Sequence, residues 1–223
     1  MKYFGRVVFV ALAMTVAAGE RALCSETTDA EDKALEADNH DADVRSCVVS
    51  SLNHISKQKS SETIALCSKI TNDAKHSVYY RAAAYRYVGN AMSDAGNDSK
   101  AIENLAKSIE LNPKDGMAFS DRADVYEKSG LTQKALDDYK RAVSLASDNL
   151  SMARVFQSMA IIYNRQEQYD LAIAYQTKAI ELAPESIKSN LYKNRGTMWS
   201  NKGDSANAQA DFGKAVDLEA QRK

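Results

Sequence analysis

The sequence predicts an all-α chain built from stacked helix pairs, and three observations carry that prediction. First, Ala82 to Asp115 reads as two amphipathic helices. Tyr85, Val88, Gly89 and Met92 form one apolar stripe at helical spacing; Ala101, Ile102, Leu105, Ile109 and Leu111 form another, with Gly96-Asn97-Asp98 turning the chain between them. Second, the pattern returns with a 34-residue frame, the mark of a solenoid. Third, the 223-residue chain has only two prolines, Pro113 and Pro184, and each stops the second helix of a pair.

From Gly116 the same frame gives Phe119, Ala123, Tyr126, Gly130, Ala135, Tyr139, Ala142 and Leu145, with Ser147 where the proline stood. After the insertion Leu150 to Met152, the frame from Ala153 gives Phe156, Ala160, Tyr163, Ala172, Ala179, Leu182 and Pro184. Here Glu167 replaces the turn glycine, and the aromatic of the second helix sits at Tyr175 rather than one residue later. The frame from Ser189 gives Tyr192, Gly196, Trp199, Gly203, Ala208, Phe212, Ala215 and Leu218. Small residues at fixed places let two helix backbones approach, and aromatics fill the gaps beside them.

These residues resemble the tetratricopeptide repeat (TPR). That family has an aromatic at position 4, an apolar-Gly pair at 7 and 8, Gly at 15, Ala at 20, a large residue at 24, a small one at 27 and Pro at 32. Tyr85, Val88-Gly89, Gly96, Ala101, Leu105, Ser108 and Pro113 occupy those slots. The resemblance implies a right-handed α-solenoid of four units at 82–115, 116–149, 153–186 and 189–223. It leaves function open, because one fold hosts many functions.

Residues 1–19 read as a secretory signal peptide. Lys2 and Arg6 give the positive start, Val7 to Val16 the apolar core, and Val16-Ala17-Ala18 or Ala17-Ala18-Gly19 the small residues for cleavage; cleavage after Cys24 is an alternative. The apolar run is shorter than the ~20 residues a membrane span needs, so no stable span is expected after cleavage. Residues 20–42 are acidic and lack large apolar residues apart from Leu23 and Leu35, as a disordered leader does. Residues 43–81 read as a degenerate helical hairpin capping the array. Val44, Val48, Leu52 and Ile55 form one stripe and Ile64, Leu66, Cys67 and Ile70 the other, with the turn at Lys57 to Ser61.

Of the three cysteines, Cys24 falls near the cleavage region, and Cys47 and Cys67 lie on the two helices of that hairpin. A disulfide requires both to face the hairpin interior. An exported setting, periplasmic or secreted, favours the bond; two buried thiols are the alternative. The arrangement is similar to that of small exported bacterial repeat proteins with paired cysteines ahead of their repeats. His40, His54 and His76 are scattered, so no metal site is expected. No catalytic motif, phosphate-binding loop or cofactor signature stands out, and Asp121 and Asp137-Asp138 read as solvated helix faces. The formal net charge of -1 gives nucleic acid no electrostatic footprint.

In the family, positions 2, 5, 9, 12 and 13 of each first helix face a concave groove. The resemblance therefore places Arg86, Asn90 and Asp94 in it, then Met117, Ser120, Asp124, Glu127 and Lys128. Arg154, Gln157, Ile161, Asn164 and Arg165 follow, and then Asn190, Lys193, Thr197 and Asn201. Such a mixed-charge surface suits a protein or extended peptide. One TPR subtype holds a peptide's terminal carboxylate; Arg86, Asn90 and Arg154 match it, whereas Asp121 and Ser158 stand where it has Asn and a basic residue. A second expectation is a structural role as a homo-oligomer, with Val216 and its neighbours offering apolar surface to another copy.

Overall fold

The structure, a computed structural model, describes residues 42–52 and 57–221. The expected signal peptide, the leader up to residue 41, Cys24, His40 and His54 lie outside the described residues. Ten helices follow in order: α1 (Ala42–Leu52), α2 (Lys57–Thr71), α3 (Val78–Asp94), α4 (Asp98–Leu111), α5 (Gly116–Lys128), α6 (Thr132–Leu145), α7 (Asn149–Arg165), α8 (Tyr169–Leu182), α9 (Glu185–Lys202) and α10 (Ser205–Ala220). Each helix packs on its chain neighbour; α1, α3, α5 and α7 also touch one another in succession, and Asn201 of α9 reaches Asn164 of α7. The described chain is an α-solenoid, with five helix pairs stacked in sequence order.

The α1–α2 hairpin is joined by the disulfide Cys47–Cys67, whose Cα atoms are 4.7 Å apart. Both sulfurs are buried with Val44 and Ile70 against Ala84 and Val88 of α3. One expected boundary differs. Lys57 to Ser61 was expected to be the turn, yet these residues form the start of α2, and Ser60 is buried within it. Lys57-Gln58-Lys59 are good helix formers with no glycine or proline among them, so nothing stops the helix from starting early.

The four repeats share one closing geometry. Gly96, Gly130 and Gly203 end their first helices at φ between 75° and 89°, and Glu167 takes the same left-handed turn at φ 60°. The backbone N–H just after each of these residues bonds to a carbonyl in the last turn of the helix: Asn97 to Met92, Leu131 to Tyr126, Gln168 to Tyr163 and Asp204 to Trp199. This is the glycine-type helix stop, which a Glu enters only at some cost.

Close approach explains the small residues. A Cβ on Gly89 would lie 2.7 Å from Leu105 Cγ, and one on Gly196 2.7 Å from Phe212 Cε1. Ala101, Ala135, Ala172 and Ala208 are buried at the matching place on each second helix. Gln176 fills the large-residue slot of the third repeat: it is fully buried, and its Nε2 donates to the Leu191 carbonyl at 2.9 Å. Tyr175 beside it stacks on Tyr163 instead, which accounts for the displaced aromatic.

A second regularity runs along all four repeats. The aromatic at position 4 is covered by a cation at position 26: Lys107 over Tyr85, Arg141 over Phe119, Lys178 over Phe156 and Lys214 over Tyr192, each 5.4 to 5.9 Å from the ring centroid. The third regularity alternates. In repeats two and four, position 7 carries arginine rather than an apolar residue. Arg122 donates to both oxygens of Asp138 at 2.7 and 2.9 Å, and Arg195 to both of Asp211 at 2.7 and 2.8 Å. Asp138 is therefore a buried ion-pair partner and not the solvated residue expected; Asp137 next to it is exposed.

Candidate partner-binding groove

The successive first helices α3, α5 and α7 form a wall, because each repeat presents its first helix on the same side. A cavity of about 560 Å³ opens along this wall. Its polar lining includes Arg86, Lys114, Asp115, Asp121, Asp124, Asp148 and Arg154, and its apolar lining includes Tyr79, Met117, Val155 and Leu145. The cavity extends to Ala146 to Asp148, the turn between α6 and α7. Of the junctions between consecutive helices α1 to α10, this one is packed most sparsely. The inserted residues Leu150 to Met152 lengthen the first turn of α7 there.

Charge in the cavity is organised around Arg86. Its side chain is only 8% exposed, and it bridges Asp115 at 3.5 Å and Asp121 at 3.4 Å. Asn90 Nδ2 donates to Asp121 Oδ2 at 2.8 Å. Asp121 is thus drawn into the wall, contrary to the expectation of a solvated face. Burial pushes its carboxyl above the usual carboxylate range, while Arg86 and Asn90 pull the other way. Asp115 also caps α5, accepting from the Met117 and Ala118 N–H groups.

Asp124 lies one turn further along α5 and accepts a short hydrogen bond from the Tyr139 hydroxyl. It keeps an exposed edge toward the cavity, yet protein surrounds it in the concave wall. That desolvation lifts its pKa to about 6; Tyr139 opposes the shift, and the charges of Asp121 and Glu127 add to it. Tyr139 is buried, with its own ionisation pushed far up for the same reason.

Of the residues expected in the groove, Arg86, Met117, Ser120, Asp124 and Arg154 line the same cavity, and Asn90 joins them through Asp121. Arg154 is exposed on α7. The others do not line it. Lys128 spans to repeat one, donating to the Ser93 carbonyl and to Asp98, both at 2.8 Å. Arg165 pairs with Glu127, Asn164 accepts from Asn201 at 3.1 Å, and Lys193 pairs with Glu219 at 2.5 Å. Asp94 closes α3, and Gln157 is half-buried on α7. Sequence reasoning missed Asp115 and the Tyr139 hydroxyl, and it read Asp121 as a solvated face although it had placed it where one TPR subtype has Asn. The signal available was a carboxylate one residue from a groove position, on the helix that follows an Arg-Asn pair.

Among the described residues no group of His, Cys, Asp and Glu could hold a metal ion, and no helix is long and apolar enough to cross a membrane.

Residues 115–185 match the tetratricopeptide repeat family model. Among curated proteins, the chain is 31% identical over 115 residues to the mouse protein O-mannosyl-transferase TMTC1, covering 49% of this chain and 12% of that one. It is 28% identical over 138 residues to small glutamine-rich tetratricopeptide repeat-containing protein 2 of Mycosarcoma maydis, covering 60% and 38%. The chain therefore spans well under half the length of these relatives. Among solved structures, MamA of Desulfovibrio magneticus RS-1 superposes with a TM-score of 0.64 at 21% identity, over 82% of this chain and 98% of that one. The middle segment of this chain, residues 115–185, thus carries tetratricopeptide repeats, and the described chain has the architecture of a TPR α-solenoid.

Proposed function

We propose that this chain is a non-catalytic scaffold that holds an extended segment of a protein partner along the wall of α3, α5 and α7. The observation that carries the reading is the cavity of about 560 Å³, in which polar side chains from three successive repeats converge beside an apolar strip of Tyr79, Met117 and Val155. An extended chain needs both: side-chain hydrogen bonds to its backbone, and small apolar pockets for alternate side chains. Arg154 is the best-placed ligand contact, since it is exposed at the cavity edge. Arg154→Ala should weaken capture of the natural partner by about 1–3 kcal/mol through a lost charge-assisted hydrogen bond. Lys140→Ala is the control, because Lys140 lies exposed on a second helix, outside the cavity, and pairs with exposed Asp137. Equal capture by both variants in a pull-down would refute the groove reading.

The compartment belongs to the same proposal: an exported protein, periplasmic or secreted. The Cys47–Cys67 bond supports it, because such bonds persist in oxidising compartments. N-terminal sequencing of the fractionated protein should find a mature start near Ala18 to Glu20; a cytoplasmic chain starting at Met1 would contradict it.

The second reading is self-association through α10. Val216 is 61% exposed and Phe212 38% exposed on that helix. Under this reading Val216→Glu dissociates a dimer in sedimentation experiments, and Arg154→Ala leaves partner recovery unchanged.

A further inference from the structure

Arg86 and Asn90 together have the chemistry of an anion receptor. A guanidinium fork matches a carboxylate, and a carboxamide donates beside it. In this chain a carboxylate already fills that position. Asp121 Oδ2, from the next first helix, lies 3.4 Å from Arg86 Nη1 and 2.8 Å from Asn90 Nδ2. Asp115 Oδ2 stands 3.5 Å from Arg86 Nε. With its side chain buried, Arg86 cannot swing toward a ligand without breaking these contacts. One guanidinium thus faces two carboxyl groups; the cavity as a whole holds four, with Asp124 and Asp148 beside Asp115 and Asp121, against the three cations Arg86, Lys114 and Arg154.

We propose that Asp121 is a built-in ligand: it occupies the Arg86–Asn90 receptor and makes the groove refuse carboxylates at this point. The groove then takes an internal stretch of polypeptide, neutral or cationic where it passes α3 and α5, rather than a free chain end. This last step rests on the groove reading; the occupied receptor stands on the geometry of Arg86, Asn90 and Asp121.

Two features make Asp121 the determinant rather than a bystander. Its carboxyl joins residues 31 and 35 positions apart in sequence, so it ties repeat one to repeat two as well as filling the receptor. The isosteric Asp121→Asn keeps an oxygen acceptor for Asn90 and removes the charge facing Arg86. Asp121 therefore acts through two separable properties, shape and charge, and only the charge excludes an anion.

The test uses the full chain, with inorganic sulfate as the probe at constant ionic strength. The readout is the side-chain NMR signals of Arg86 Nε and Asn90 Nδ2. In the wild-type protein these signals should not move with sulfate. In Asp121→Asn they should shift saturably, and adding Arg86→Gln should abolish the shift. Circular dichroism checks the fold, and Asp121→Ser serves if the Asn variant does not fold. A saturable shift in the wild-type protein overturns the proposal, and so does a folded variant whose signals ignore sulfate. Sulfate needs no protein partner, so the outcome is separate from that of the groove reading, which fails instead if Arg154→Ala leaves partner capture intact.

Discussion

Repeats two and four close their helix pairs differently from repeats one and three. At position 7 the odd repeats bury Val88 and Met159, which pack by contact alone. The even repeats put Arg122 and Arg195 there, each forked onto a buried aspartate at position 23. The neighbouring slots hardly change: position 8 is Gly89, Ala123, Ala160 and Gly196, and position 20 is alanine throughout. One backbone geometry therefore accepts either an apolar seal or a bidentate ion pair. Arginine suits the second use because its stem packs like an aliphatic chain while its fork satisfies both carboxylate oxygens. In both even repeats the guanidinium also lies over an aromatic ring, Tyr126 in one and Tyr192 in the other.

The largest expected effect comes from breaking one even-repeat pair. Arg122→Met leaves Asp138 buried without its partner and should cost about 3 kcal/mol or more in a denaturant melt. The double variant Arg122→Met with Asp138→Leu imitates an odd repeat and should recover most of that loss. If the single and double variants melt alike, the pair is not what closes the even repeats.

The capping hairpin is sealed in a third way, by the Cys47–Cys67 bond across 20 residues. Removing it with Cys47→Ser and Cys67→Ser should cost about 3 kcal/mol on the chain-entropy model. The loss should appear in the hairpin and repeat one by hydrogen exchange, and repeats three and four should keep their protection. A uniform loss of protection would mean the array melts as one unit.

Overpacking should cost somewhat less and respect no alternation. Gly89→Leu drives a side chain into Leu105 in an odd repeat and Gly196→Leu drives one into Phe212 in an even repeat. Each should lower stability by ~1–3 kcal/mol. Phe212 is half open to solvent and can yield, so the second should be the milder of the two. Equal melts for wild type and both variants would show that the shared helix approach is looser than it is drawn.

The smallest effects come from single backbone and charge features. Glu167 holds the left-handed turn that glycine holds in the other three repeats, so Glu167→Gly should stabilise repeat three by up to about 1 kcal/mol. Asp124 gives a pH signature. Its folded pKa of about 6 lies above the ~3.9 of an unfolded aspartate. The folded state therefore holds the proton more tightly, and the contribution is present in full below pH ~4 and is lost as pH rises through about 6. Asp124→Asn should remove that part of the pH dependence and raise the melting temperature slightly at pH 7 relative to wild type. A wild-type melt with no slope between pH 4 and 7 beyond that of the variant would contradict the shift.

The solenoid was legible because its cause is local and repeated. A 34-residue period of small and apolar residues, with prolines only at two pair ends, specifies antiparallel helices that must stack to bury their stripes. Even the exception at Glu167 could be placed by register alone. The start of α2 could not, because Lys57 to Ser61 carries no stop signal in either direction. Which carboxylates meet which arginines was decided only by tertiary structure. Asp121 and Asp138 look alike in sequence, as charged residues on helices. One reaches back 35 residues to Arg86 in the preceding repeat, and the other reaches 16 residues to Arg122 within its own. Periodicity fixes the face a residue occupies, whereas an ion pair depends on the angle and spacing at which two helices cross, and that is set by the packing of every other side chain between them.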